Sequence, residues 1–246
     1  MSRQRIIIIG ATSAIAEHCA RRWAQQPSDF VLVGRDQDRL EGVAADLRVR
    51  SPQSSAQAIV MDFSDPIAIA ALAKQAATEG RMDIVLIAHG NLPVQSDCQQ
   101  DVTLTQQALE INGLSPVLFA EAFASQMEKA GSGTLAIIGS VAGDRGRKTN
   151  YVYGAAKGLI DRYAQGLQHR FAGTQVKIVL IKPGPTATPM TAHLPPRGLA
   201  SAEAVAHRIV AAVAAGQPVV YAPARWWLIM MIIRHLPRVV FNRLNI

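Results

Sequence analysis

Short runs of β-branched and apolar residues alternate along the chain with longer stretches of helical period. The runs fall at 5–10, 30–34, 57–61, 83–88, 133–139, 175–181 and 218–221. The helical stretches fall at 14–26, 36–49, 66–79, 103–130, 152–171 and 201–215. Two runs, Ile6–Ile9 and Ile84–Ile87, are unbroken in apolar character, as expected of strands covered on both faces. Repeated strand, helix and strand predict a parallel sheet, because joining two parallel strands needs a crossover long enough to hold a helix. The expected fold class is therefore α/β, a doubly wound parallel sheet in one domain. Its ligands should lie beyond the carboxyl ends of the strands.

Composition narrows the picture. The chain has 246 residues, 49% hydrophobic and 17% charged, enough to bury one full core and too apolar for a disordered chain. A basic start and four isoleucines are too short for a secretory signal, so a cytoplasmic location is expected. Cys19 and Cys98 stand apart at no metal or redox spacing, and no metal is expected. The net charge is +7, yet the basic residues are scattered and form no aromatic-studded stripe, so no nucleic-acid partner is expected. Only the end is lopsided. After Glu203 no acid occurs, while Arg208, Arg225, Arg234, Arg238 and Arg243 follow, which favours an anionic surface or ligand.

The first strand runs into Gly10-Ala11-Thr12-Ser13-Ala14-Ile15-Ala16 ahead of a helix. Small residues there let helix-start amides approach a pyrophosphate, whose charge the helix dipole favours. Gly10, Thr12, Ser13, Ala14 and Ile15 are thus candidate cofactor contacts in a Rossmann-type fold. The second strand ends in Gly34-Arg35. It lacks the acid that would take a ribose 2′-hydroxyl, and an arginine suits a 2′-phosphate. NADP(H) is therefore expected over NAD(H), although the adjacent Asp36 keeps NAD(H) open. Asp62 either accepts from the adenine amino group or caps the helix after Asp65-Pro66. Gly90 lets the backbone pass close to the cofactor, and His89 is expected to pack or bond locally.

Tyr153 and Lys157 are four apart and share a helix face. An ammonium beside a phenol lowers the phenol pKa from about 10 towards neutrality. Ser140, at the end of the fifth strand, can donate to a carbonyl oxygen as charge builds on it. A tyrosine and lysine at this spacing are by themselves more often a solvated face. With the glycine turn and the strand-end serine, however, residues 5 to about 221 resemble the single-domain short-chain dehydrogenase/reductase family. The resemblance implies an NAD(P)-dependent oxidoreductase acting on CH–OH groups, with Tyr153 as general acid in reduction and Ser140 polarising the carbonyl. It implies that Lys157 holds the nicotinamide ribose and tunes Tyr153, and that Asn112 supports a water leading to Lys157. It also implies a carboxamide-binding loop in Pro183-Gly184-Pro185-Thr186-Ala187-Thr188, where Thr188 acts with the Thr186 backbone. A homodimer or homotetramer is expected on the same ground. Alanines at 14 and 16 replace family glycines, and Ala88-His89-Gly90 departs from the family's strand-four motif.

The block from Ala142-Gly143-Asp144-Arg145-Gly146-Arg147 to Lys157 resembles one branch more narrowly, the decaprenylphosphoryl-2-keto-pentose reductases. So does the tail, Trp226-Trp227-Leu228-Ile229-Met230 to Leu244. This likeness implies a keto sugar on a polyprenyl phosphate, reduced to complete a two-step epimerisation with an oxidase partner. The chain then divides into a dinucleotide-binding catalytic domain (1–224) and an amphipathic apolar and basic tail (225–246). The tail's apolar run is far below the ~20 residues of a spanning helix. It suits a helix at the inner membrane face or around an acyl chain, a subunit contact, or packing within the chain. Arg145, Arg147, Asn150 and Tyr151 are candidate substrate contacts, unless Asp144 and Arg147 only pair to stiffen their loop. Two rivals stay open: a soluble ketoacyl or small-sugar reductase with an oligomerising tail, and an NADP(H)-binding sensor without turnover.

Overall fold

Ile6, Ile7, Ile8 and Ile9 have no solvent exposure, and the strand they form, β1 (Gln4–Ile9), lies in the middle of a sheet. The computed structural model describes residues 3–193, 195 and 198–244. On one side of β1 lie β2 (Ser28–Gly34) and β3 (Ser55–Val60); on the other lie β4 (Ile84–Ile87), β5 (Ser132–Ile138), β6 (Gln175–Pro183) and β9 (Val219–Ala222). The order is β3-β2-β1-β4-β5-β6-β9, and every pair is parallel. A small second pair, β7 (Thr186–Ala187) with β8 (Ala200–Ser201), lies outside the sequence expectation.

Alternation along the strands sends side chains to both faces. Ile6 and Ile8 join a core with Leu40 and Leu47 of α2 (Gln37–Arg50) and with Ile209 of α8 (Ala202–Ala214). Cys19 and Trp23 of α1 (Ala14–Trp23) belong to the same core, and burial pushes the Cys19 thiol up, as suits a packing residue. Ile7 and Ile9 face a second core with Leu72 of α3 (Pro66–Glu79), Phe119 and Phe123 of α6 (Ser115–Ala130), and Ile160 of α7 (Tyr151–Arg170). The doubly wound expectation holds. Strand order reverses between β1 and β4, so their carboxyl ends open a crevice there.

The helix expected over 103–130 is interrupted. A short α4 (Gln95–Gln100) and α5 (Val102–Leu109) lead into a π-turn, Glu110–Leu114, before α6. Two side chains explain the break. Pro116 has no N–H to offer the Asn112 carbonyl four residues back, and the Asn112 side-chain Nδ2 donates to Ala108 O at 3.0 Å. The Ser115 amide accordingly reaches five residues back, to Glu110 O.

The tail forms α9 (Arg225–His235) and α10 (Arg238–Phe241); its last two residues, 245 and 246, lie outside the described residues. Trp226, Met230 and Ile233, spaced by four and three, pack on Val141 and Tyr221. The opposite face of α9 is apolar as well, with Trp227, Leu228 and Ile232 more than half exposed. No helix among the described residues is long and apolar enough to cross a membrane.

Candidate active site

The register brings Gly10, Ala88 and Ser140, each just beyond the end of its strand, to one edge of the sheet. There they border a cleft of about 720 Å³. At one end lies the turn into α1. Gly10 has φ +82°, and a Cβ on it would lie 2.7 Å from the His89 amide nitrogen, so a side chain is excluded by conformation and by space. Thr12, Ser13, Ala14 and Ile15 line the cleft, and Ser13 makes no side-chain cap to α1, which leaves the helix-start amides available. The Ala16 methyl is absorbed into the core beneath the sheet.

Gly34, Arg35 and Asp36 border the same end. The Asp36 carboxylate is committed to capping α2, where it accepts from the Arg39 amide at 3.1 Å. Arg39 was not singled out in the sequence, yet it lines the cleft beside Arg35 and donates to Thr12 O. Its place in the first turn of α2, four residues after Arg35, is the signal that could have found it. Asp62 does not line the cleft. Its carboxylate accepts from the Ser64 amide at 2.9 Å and the Ser64 hydroxyl at 2.8 Å, and these bonds hold it below the usual carboxylate range. Asp62 is not the helix cap either; Asp65 caps α3. Phe63, the next residue, reaches the cleft instead.

His89 is buried between Phe63 and Phe119, with Nε2 2.9 Å from Ser115 Oγ. Burial, then the Lys157 and Arg35 charges, push its pKa down to about 3, so it stays neutral and structural. Gly90 lines the cleft directly in front of Asn112. Asn112 is fully buried; Oδ1 accepts from the Asn91 amide and Nδ2 donates to Asn91 Oδ1.

Ser140, Tyr153 and Lys157 meet at the other end of the cleft. A Cβ on Gly143 would strike the Lys157 carbonyl at 2.8 Å, so glycine lets the Ser140 turn press against α7 and fixes the serine relative to the tyrosine. Ser140 Oγ accepts from the Ala142 amide at 3.1 Å, and its proton is directed towards Tyr153. Lys157 Nζ lies 5.7 Å from the centre of the Tyr153 ring and donates to Ile138 O at 3.2 Å. The expected lowering of the phenol pKa is not seen. Burial pushes Tyr153 up to about 12 against the opposing Ser140 hydrogen bond, and burial lowers Lys157 to about 8. The ammonium is spent on a carbonyl rather than on the phenol. Pro183, Gly184, Thr186 and Thr188 close the same end. Thr186 Oγ1 donates to Gly184 O, and the Thr188 hydroxyl lies 3.4 Å from that of Thr191.

An uncapped helix start, two arginines and a tyrosine–lysine–serine cluster on one continuous cleft fit a dinucleotide with a reacting group at its far end. Comparison decides the family: a model of the short chain dehydrogenases matches residues 4–197. The chain belongs to the short-chain dehydrogenase/reductase family. Like other members it is an NAD(P)-dependent oxidoreductase. An uncharacterised oxidoreductase from Mycobacterium tuberculosis is 32% identical over 244 residues, spanning 97% of this chain and 96% of its own. Another from Streptomyces coelicolor is 29% identical over 247 residues, spanning 97% and 95%. A Burkholderia cenocepacia short chain dehydrogenase solved in complex with NADP has a TM-score of 0.84 at 17% identity, covering 100% of this chain and 98% of that one. A Sphingobium yanoikuyae member in complex with NADPH has a TM-score of 0.80 at 23% identity, with 96% and 97% covered. Those two likenesses establish the shared fold.

Around the catalytic end, this dehydrogenase differs from expectation in how its charges pair. Asp144 does not pair with Arg147. Its carboxylate is fully buried, meets Lys182 at 2.5 Å and accepts from Tyr221 Oη at 2.8 Å. Arg145 turns away from the cleft to the tail, donating to the Ile233 and Leu236 carbonyls and lying 3.8 Å over the Phe241 ring. Tyr151 is exposed and outside the cleft, whereas Arg147 and Asn150 line it. Trp226, on the tail, lines it too.

Proposed function

We propose that the protein uses NADPH to reduce a ketone to a secondary alcohol, the ketone being a keto sugar carried on a polyprenyl phosphate. The observation that carries the reading is the convergence of Ser140, Tyr153 and Lys157 on the cleft that begins at the uncapped start of α1. The turn Gly10–Ile15 would hold the pyrophosphate, Lys157 the nicotinamide ribose, and Thr186 with Thr188 the carboxamide. When bound, the cofactor supplies the hydride. Tyr153, whose raised pKa keeps it protonated at neutral pH, gives its phenolic proton to the carbonyl oxygen, and Ser140 donates a hydrogen bond to the same atom. Asn112 is suited to hold a water that resupplies Lys157, because Pro116 leaves its main-chain carbonyl without the usual helical donor.

Arg35 and Arg39 flank the end where a 2′-phosphate would lie, and Asp36 is occupied as a cap, which supports NADP(H) over NAD(H). Arg35→Ala should weaken NADPH by roughly 10- to 100-fold and leave NADH nearly unchanged, as read by fluorescence titration. Equal losses for the two nucleotides would contradict the assignment. The substrate reading rests on the resemblance to the keto-pentose branch and on the basic, apolar tail. Single-turnover NADPH oxidation against prenylphosphoryl keto-pentoses, ketoacyl thioesters and free keto sugars tests it, and preference for a thioester would replace it.

Residues 225–246 are proposed as the membrane-facing segment. The outer face of α9, with Trp227, Leu228 and Ile232, continues into exposed Val239 and Val240, and Arg234, Arg238 and Arg243 accompany it with no acid. The protein should float with vesicles containing anionic phosphatidylglycerol. Leu228→Glu with Ile232→Glu should abolish flotation; a change of subunit number with flotation unaltered would make the face a subunit contact.

A further inference from the structure

Three polar groups at the catalytic end lack the partners their burial calls for. The indole Nε1 of Trp226 and the Oδ1 of Asn150 are buried with no hydrogen-bond partner among the described residues. The Arg147 guanidinium is partly buried, has its pKa lowered by that burial alone, and is faced by no carboxylate among the described residues. All three residues line the cleft that holds Ser140 and Tyr153. Leaving buried donors and acceptors unpaired is costly, so such groups call for an explanation, and a bound ligand is one.

Trp226 is held firmly. Its ring lies so close over Gly184 that a Cβ there would be 1.9 Å from Nε1. Behind it, Met230 and Ile233 pack on Val141, one residue after Ser140. Arg145, from the same turn, grips the carbonyls at the end of α9. The middle and C-terminal end of α9 are thereby fastened to the segment that carries the serine, its N-terminal end lies on Gly184, and the indole is fixed as a wall of the cleft.

We propose that Trp226 is a specificity-determining residue, its indole N–H donating to an oxygen of the substrate, so that the substrate pocket is built jointly by the catalytic domain and the tail. Two donors and one acceptor suit an oxygen-rich, anionic ligand. Arg147 takes a phosphate, Trp226 donates to a sugar hydroxyl or ring oxygen, and Asn150 Oδ1 accepts from a sugar hydroxyl. A bare hydrocarbon ketone would leave all three unmet. This assignment rests on the keto-sugar reading above and extends it to particular atoms.

The test uses the full chain labelled with 15N at its three tryptophans. The Trp226 indole signal is identified by its loss in Trp226→Phe, and the exposed Trp227 signal independently in Trp227→Phe. Adding NADP+ should shift the Trp226 signal only in part, through the carboxamide loop on which the ring lies, and then adding farnesylphosphoryl 2-keto-pentose should move it further downfield. Trp226→Phe keeps the ring on Gly184 and should raise KM for that ketose about tenfold, with kcat and NADPH affinity nearly unchanged; Trp226→His, which retains a ring N–H, should recover part of the loss. An indole signal indifferent to the ketose, or one moved fully by NADP+ alone, overturns the assignment. So does an unchanged KM, and in each case the keto-sugar reading stands. If the parent enzyme reduces no keto sugar, that reading falls, and the same variants measured on the ketone it does reduce decide the role of Trp226.

Discussion

Replacing Tyr153 with phenylalanine should lower kcat by roughly two to four orders of magnitude while NADPH still binds. In the proposed mechanism the phenol protonates the carbonyl oxygen, and phenylalanine fills its space without a proton. An unchanged rate would point to the sensor alternative or to another acid. The pH profile should carry a second signature. Tyr153, at about 12, remains protonated through the neutral and mildly alkaline range. Lys157, lowered to about 8, is an ammonium below that pH and neutral above it. Reduction should therefore decline as pH rises through about 8, because the neutral amine no longer offers the charged donor proposed for the nicotinamide ribose. Lys157→Met should remove that limb and leave a slow, flat profile in kcat/KM.

Lys182→Met should be among the most destabilising single changes in the chain, costing about 3–5 kcal/mol and lowering Tm by roughly 10 °C. Burial disfavours the lysine charge, but the hydrogen bond to Asp144 and the ion pair with Asp161 outweigh it and hold the pKa above its ordinary value. The Asp144 side chain has no exposure and that of Asp161 little, so removing the amine strands two carboxylates away from water. The network also supports the Ser140 turn, since Asp144 ends that turn. Urea unfolding monitored by circular dichroism would measure the loss, and a change below about 1 kcal/mol would mean that water reaches the cluster.

The parts legible in the sequence were those set by local periodicity or short spacing. Unbroken apolar runs marked strands covered on both faces, and a tyrosine and lysine four apart on α7 marked one face of a helix. What stayed hidden depended on partners far away along the chain. Lys182 reads as an odd charge in an apolar strand until β6 places it against Asp144, 38 residues earlier. Arg145 and Arg147 look interchangeable in sequence, yet one clamps α9 and the other borders the cleft. The π-turn needed Asn112 and Pro116 read together. The phenol pKa went the wrong way because spacing gives a shared face but not where the amine points, and Lys157 points at Ile138 O.

All the main strands run the same way, so β1 begins at the edge of the molecule opposite the cleft, while Trp226 lies within it. A purification tag or a surface linker fused after Leu244 would therefore pull on a segment that borders the reaction chamber. The same fusion ahead of Gln4 would hang from the far side. Preparations tagged at the two ends should differ in turnover even when they fold equally well.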